Sequence, residues 1–347
     1  MAFLKIPNVC IRGIAACVPP RVEEVKNIPF YTPEEAEKII AATGVERMHV
    51  ADDTITGSDL SLKAAKRLLD DMGWDRDSID AICYVTQTPD YIKHPTAFVM
   101  HDKLGLSENC MVLDMYYGCP GWVVGLSTLS SLMSHGTIKR GLLFASDTIT
   151  RIESPMNQEA RPIMGDCGTV TALEFGEGKF SPLLFETGAR GKDGMNLARL
   201  KGAMRNPYTP ESFKKEYDFL HGIKDDIKQG DMDGMSVFSF GISVPPQSIK
   251  MLCAEYNIDI KNIDKLVLHQ GNKSMINKIA KKVKVEQSKV PSSLKDFGNT
   301  TSASIPLTIV SQCGKEYSSK KLKTICCGFG TGLSWASACF ETNNIVC

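Results

Sequence analysis

The sequence predicts a duplicated α/β chain with mixed, mostly parallel sheets, and three observations carry that prediction. Lys66–Thr86 and Lys250–Gln270, 184 positions apart, share Lys66/Lys250, Leu68/Leu252, Asp75/Asp259, Ile79/Ile263 and Asp80/Asp264. Both read as a helix, a polar loop, an Ile-Asp entry and an apolar strand. Leu142–Asp147 (LLFASD) is matched 182 positions on by Thr324–Phe329 (TICCGF), and both are apolar without alternation, as strands covered on both faces are. Helical and strand patterns alternate through both copies, which is the signature of α/β layering. At 347 residues the chain suits about two domains. The expected halves are 1–177 and 178–347, joined by a connecting segment over about 178–234, where Gly, Lys and Asp crowd together.

The elements follow in order. Val9–Ala16 reads as the first strand. Thr32-Pro33-Glu34-Glu35 is a capping box with proline at the first helical position, and Gly44 closes that helix. Pro95–Leu104 is expected as a helix, Cys110–Tyr116 as a strand, and Pro120–His135 as a helix rich in small residues. Lys265–His269 reads as a strand, and Ser302–Cys313 as the second-half counterpart of the helix at 120–135.

Composition removes several classes of function. Apolar residues at 43% and charged residues at 23% are ordinary globular values with enough material for a large core. Forty basic against forty acidic side chains give no net charge, so no whole-surface nucleic-acid binder is expected. No apolar run approaches the roughly 18 residues of a membrane span. The N-terminus lacks the basic-then-apolar pattern of a secretory signal. Twelve scattered cysteines, with no CxxC pair and no zinc spacing, read as thiols in a reducing cytoplasm, and no metal is expected.

Four segments can carry chemistry. An apolar strand runs through Val112–Tyr117 into Gly118-Cys119-Pro120-Gly121 and at once into a helix. A thiol at a helix N-terminus feels the positive end of the macrodipole, which favours thiolate, and its own N–H is a candidate oxyanion donor. A buried cysteine in a tight turn is the plain alternative. His269 ends its strand before Gln270-Gly271-Asn272, at the strand end where parallel α/β sheets bind ligands. Gly298-Asn299-Thr300-Thr301-Ser302 leads into the second-half helix, where an amide can simply cap. An offset of 183 puts Ser302 opposite Cys119, and so Asn299 at the mouth facing the cysteine. Gly328-Phe329-Gly330-Thr331-Gly332 leaves the last buried strand without a dinucleotide fingerprint, but can present N–H groups to an oxyanion.

Together these motifs, in this order and spacing, resemble the β-ketoacyl-acyl carrier protein synthase III family of thiolase-fold condensing enzymes. GIAACVPP near the start, TGVERMHV at 43–50 and GDCGTV at 165–170 agree, so the resemblance covers essentially the whole chain. It implies a five-layered, duplicated αβαβα fold that forms homodimers. It also implies a catalytic triad of Cys119, His269 and Asn299. Cys119 accepts an acyl group from a thioester. A malonyl thioester then loses CO2, with His269 and Asn299 donating hydrogen bonds to the enolate. The N–H groups of Cys119 and Thr331 are the implied oxyanion hole, and Arg151, His94, Asn272 and Gly330 the implied substrate contacts. No tightly bound cofactor follows; coenzyme A or phosphopantetheine thioesters are the expected substrates, with acyl carrier protein as partner.

The chain also departs from the family pattern. Thr331 replaces the usual middle glycine of the 328–332 loop, Lys38 stands where an adenine-stacking Trp is common, and Ala42 stands at an Arg position. His94 occupies the place of a Phe that gates the acyl pocket across the dimer, and Tyr116 and Tyr117 replace small residues. These departures point to an altered acyl substrate, and the resemblance leaves both fatty-acid biosynthesis and a specialised acyl-chain pathway open as its setting. The helix expected from about Lys273 to Val285 is acid-free over 273–285, with Lys278, Lys281 and Lys282 within one arc. That stripe is either a solvated face or a docking site for the acidic carrier.

Three rivals share parts of this pattern. A papain-like protease also orders Cys, His and Asn, but the CGSCW-type flank is missing. A hydroxymethylglutaryl-type synthase needs a Glu beside the cysteine, and Thr86–Gly118 offers only Glu108. A non-catalytic scaffold of the same fold would leave four intact motifs without a use.

Overall fold

Two five-stranded sheets carry the chain. The computed structural model describes residues 2–153, 157–210 and 231–347, so part of the connecting segment expected over 178–234 lies outside the described residues. One sheet has the order Val9–Cys17, Cys167–Phe175, Arg140–Asp147, Ala81–Thr86, Met111–Tyr116. The other has the order Ala2–Ile6, Leu183–Ala189, Ser334–Asn343, Lys321–Gly330, Lys265–Leu268. Four consecutive strands match between them in order and sense, from Val9–Cys17 to Ala81–Thr86 and from Leu183–Ala189 to Lys265–Leu268. The short repeats in the sequence are the visible part of this duplication.

Burial defines five layers. Trp122, Val123, Leu126, Leu129 and Met133 of the helix Gly121–Met133 share one core with Ile305, Ile309, Cys313 and Tyr317 of the helix Ser304–Tyr317. Inward residues of both sheets, among them Cys83, Val85, Leu143, Cys326 and Ala338, close that core from either side. The helices Gly57–Met72 and Thr96–Leu104 cover the outer face of the first sheet through Leu68, Leu69, Met100 and Leu104. The helices Gly234–Glu255 and Lys273–Val283 cover the second through Val244, Ile249, Ile276 and Ile279. The central helix is held hard against its sheet. Trp122 is fully buried and donates its indole N–H to Thr171 Oγ1 at 2.9 Å. Truncating a side chain of that size in a core typically costs about 3–5 kcal/mol.

The expectation of mostly parallel sheets is wrong. Five of the strand pairings within the two sheets are antiparallel, involving Ala2–Ile6, Val9–Cys17, Cys167–Phe175, Leu183–Ala189 and Ser334–Asn343. Among the described strands of the two sheets, parallel pairing is confined to Ala81–Thr86 with its two neighbours and Lys265–Leu268 with Lys321–Gly330. Non-alternating apolar strands showed that both faces are covered, but cover on both faces does not set strand direction. For the pairing of Lys321–Gly330 with Ser334–Asn343, connection length does. Only residues 331–333 separate Gly330 from Ser334, too few for a parallel crossover of a dozen or more residues.

The remaining expected elements are found within a few residues of their places. The helix Pro33–Thr43 has both halves of its capping box, Thr32 with Glu35, and ends at Gly44. Three of the four candidate junctions lie at strand ends, Met111–Tyr116 before Cys119, Lys265–Leu268 before His269 and Lys321–Gly330 before Thr331, while Asn299 follows the short helix Leu294–Phe297.

Candidate active site

Cys119 sits in the turn between its strand and the helix Gly121–Met133, where Gly118 C=O accepts the N–H of Gly121 at 2.7 Å. Gly121 lets this helix lie directly on the sheet, because a Cβ there would stand 2.6 Å from Val85 Cγ1 and 3.3 Å from Ser302 Cβ. The end of the strand Lys321–Gly330 closes over the cysteine. A Cβ on Gly328 would reach 2.6 Å from Pro120 Cα, and one on Gly330 would reach 2.7 Å from Cys119 Sγ. The backbone of Thr331 is in hydrogen-bond contact with the thiol. The Thr331 N–H therefore faces the sulfur despite the change from the family's glycine.

The expected thiolate is not the resting state. Burial pushes the Cys119 thiol from 9.0 up to about 12, opposed by the Thr331 backbone and reinforced by the negative charge of Asp147. A helix terminus is worth at most about 2 kcal/mol, some 1.5 pK units, which is less than the desolvation of a side chain only 9% exposed. Desolvation wins.

His269 is 3% exposed, and its ring stands edge-on to Phe329 with centroids 5.4 Å apart. Its N–H donates to Cys327 C=O at 2.9 Å, which registers it against the strand that ends beside Cys119. Nδ1 lies 2.8 Å from Ser304 Oγ. Burial lowers its pKa from 6.5 to about 4, opposed by a hydrogen bond with the Thr301 backbone. The imidazole is neutral at physiological pH.

Asn299 is pinned by its main chain to the first half, donating to Ile163 C=O at 2.7 Å and accepting from Gly165 N–H at 3.1 Å. Gly298 precedes it at φ +63°, where a Cβ would strike the Ile163 carbonyl, so this turn requires glycine. Asn299 Oδ1 accepts the N–H of Thr301 at 2.9 Å, which assigns its NH2 to the opposite side. Cys119, His269 and Asn299 thus share neighbours: Gly330 and Phe329 link the first two, and Thr301 links the last two.

The other expected contacts are placed as follows. Asn272 caps the helix Lys273–Val283 by accepting Met275 N–H at 2.8 Å. Arg151 is exposed and donates to Ile55 C=O at 3.1 Å and Asp53 C=O at 2.9 Å. His94 is exposed between Tyr91 and Phe98, and lines a cavity of about 210 Å³ with Asp114, Met115 and Tyr116. Lys278, Lys281 and Lys282 are exposed, but Lys278 Nζ lies 4.5 Å over the Phe238 ring and Lys282 Nζ donates to Ile242 C=O at 2.7 Å. Sequence reading passed over Ser304 and Thr301, which hold the histidine and the amide; the visible signal was the run of hydroxyls following Asn299. Among the described residues no group of His, Cys, Asp and Glu could hold a metal ion, and no helix is long and apolar enough to cross a membrane.

A duplicated αβαβα fold with a cysteine and a neutral histidine beyond strand ends, and an amide in the turn before the second central helix, defines a thiolase-fold condensing enzyme. Residues 113–191 match the family description 3-oxoacyl-[acyl-carrier-protein (ACP)] synthase III, and 253–342 match its C-terminal part. The chain is 31% identical to a 3-oxoacyl-(acyl-carrier protein) synthase of Burkholderia xenovorans LB400, whose crystal structure superposes with a TM-score of 0.92 over 99% of this chain and 97% of that one. A further crystal structure of a 3-oxoacyl-(acyl-carrier-protein) synthase III is 29% identical, with a TM-score of 0.89 over 97% of this chain and all (100%) of that one. The β-ketoacyl-[acyl-carrier-protein] synthase III of Streptococcus gordonii is 29% identical over 97% of this chain and 98% of its own. The chain belongs to the β-ketoacyl-acyl carrier protein synthase III family, and it is an acyltransferase of the condensing class.

Proposed function

We propose that Cys119, His269 and Asn299 run a decarboxylative Claisen condensation in two half-reactions. The Cys119 thiol displaces the thiol of an acyl thioester, forming the acyl-cysteine and releasing the carrier thiol with the proton. A malonyl thioester then loses CO2. The enolate attacks the acyl carbonyl, the cysteine sulfur leaves and is reprotonated, and a 3-oxoacyl thioester departs. The N–H groups of Cys119 and Thr331 hold the oxyanion on the acyl carbonyl, and Gly330 gives the acyl group access to the sulfur. Neutral His269 and the Asn299 NH2 donate to the enolate oxygen. The observation that carries this reading is the neutral, buried imidazole held beside an amide whose oxygen is already occupied. Such a pair offers donors and no strong base.

Acyl carrier protein is the proposed partner, with the lysine stripe at 278–282 as its docking face, Arg151 and Asn272 along the path of the thioester, and His94 reaching the acyl pocket across the dimer. A homodimer is supported by the exposed apolar Tyr91, Ile92, Phe98 and Tyr116, the last of them closing an edge strand. Twelve unpaired cysteines support a reducing, cytoplasmic setting. The halves 1–177 and 178–347 remain our proposed division of the chain.

Mass spectrometry of the partial reactions tests the mechanism. Cys119→Ser should form no acyl-enzyme. His269→Ala and Asn299→Ala should acylate but condense about 10²–10³ times more slowly. An Asn299→Ala enzyme condensing at the wild-type rate removes that residue from the site.

A further inference from the structure

A carboxylate outside the triad ties its two halves together. Asp147 ends the strand Arg140–Asp147 in the first half and is completely buried. Its Oδ1 accepts Thr86 Oγ1 at 3.0 Å, Gln87 N–H at 2.7 Å and Thr88 Oγ1 at 3.2 Å, all from the adjacent strand end. Its Oδ2 accepts two hydroxyls from the second half, Thr301 Oγ1 and, at 3.0 Å, Ser302 Oγ. One oxygen therefore faces each half of the duplicated fold. A buried carboxylate is tolerated only when its lone pairs are met, and here they are.

What Asp147 holds is a turn that would not adopt its shape unaided. Thr301 has φ +50°, and for a β-branched residue the left-handed region is a genuine outlier. Such a conformation persists where the surroundings over-determine it, and it clusters at functional sites. In that conformation Thr301 N–H binds Asn299 Oδ1, and its backbone engages the His269 ring. Ser302, the next residue, packs against Gly121 in the turn that carries Cys119.

We infer that Asp147 is a positioning residue for the condensation half-reaction, acting through Thr301 to aim both enolate donors. The chain of contacts is continuous: Asp147 Oδ2 to the Thr301 hydroxyl, and the Thr301 backbone to Asn299 on one side and His269 on the other. Acylation of Cys119 depends on the Cys119 and Thr331 N–H groups, neither of which Thr301 holds. The two half-reactions should separate when this link is cut. The inference rests on the donor roles proposed above for His269 and Asn299.

Thr301→Val keeps the side-chain shape and removes the hydroxyl, while Thr301→Ser keeps the hydroxyl. Each is followed through acyl-enzyme formation by mass spectrometry and through condensation with malonyl-carrier protein. Thr301→Val should acylate within about threefold of wild type and condense about 10²-fold more slowly, as expected for misplaced reacting groups. Thr301→Ser should recover most of that loss. Asp147→Asn should also lose condensation, but it removes a charge that acts on the Cys119 thiol as well, so the Thr301 pair decides the split. Condensation by Thr301→Val near the wild-type rate overturns the inference, and so does an equal fall in both half-reactions. If His269→Ala and Asn299→Ala fail to condense while Thr301→Val succeeds, only the role of Asp147 falls. If all three condense normally, the donor assignment falls with it.

Discussion

Gly330 and Cys119 stand closer than any side chain would allow: a Cβ on Gly330 would lie 2.7 Å from the Cys119 sulfur and 2.8 Å from its Cβ. Contacts that short force something to move, and the movable partner here is the nucleophile. Gly330→Ala should therefore slow acyl-enzyme formation about 100-fold or more, since small displacements of reacting groups cost that much. Gly234→Ala, at a helix start with open space around it, should leave the rate unchanged. Wild-type acylation by Gly330→Ala would show that the strand end can retreat from the cysteine.

The raised pKa of Cys119 sets an order of chemical reactivity. Only a thiolate is strongly nucleophilic, and its fraction rises tenfold per pH unit below the pKa. At pH 8 iodoacetamide should label the partly exposed Cys17, Cys253 and Cys347 before the buried Cys119. Its rate at Cys119 should keep climbing past pH 9 without a plateau. An acyl thioester should nonetheless modify Cys119 first, because binding supplies the oxyanion donors. A Cys119 that dominates iodoacetamide labelling and levels off below pH 8 would mean that the helix terminus outweighs burial.

His269 makes the protein acid-sensitive. Its pKa falls from 6.5 to about 4 on folding, so between those values the unfolded chain binds more protons and stability drops as pH falls. The loss is at most roughly 3 kcal/mol, complete near pH 4. Asp147 and Asp166, pushed up by burial, act with the opposite sign, so the comparison must be with a variant. Urea unfolding at pH 7 and pH 4.5 should show a larger drop for wild type than for His269→Gln. Equal drops would place no buried neutral imidazole at 269.

The lysine stripe needs a narrower test than its sequence suggests. Lys278 and Lys282 also brace the helix Lys273–Val283 against Phe238 and Ile242, so reversing them perturbs packing as well as charge. Lys281→Glu alone should raise the apparent KM for a carrier-bound substrate and steepen nothing for a small pantetheine thioester. The KM difference should shrink as salt rises. An equal effect on both substrates, or none, would return the stripe to an ordinary solvated face.

Strand and helix placement was readable in the chain because it rests on local pattern, the duplication because its copies recur at a nearly fixed offset, and the three candidate residues because their motifs together resemble those of one family. Periodicity marks a strand, a capping box marks a helix start, and a glycine beside a cysteine marks a tight turn. Direction in the sheets was misread because apolar runs report burial and not sense; the short 331–333 connection marks one antiparallel pair, and the others join segments farther apart in the chain. The state of Cys119 was misread for a similar reason: a helix terminus is visible in sequence, whereas the layers that bury it come from both halves. Asp147 showed only as an acid ending an apolar strand. Its partners Thr301 and Ser302 lie 154 and 155 positions away. Long-range hydrogen bonds, desolvation and the strained φ of Thr301 exist only once the two sheets enclose their central helices, so tertiary structure alone decided them.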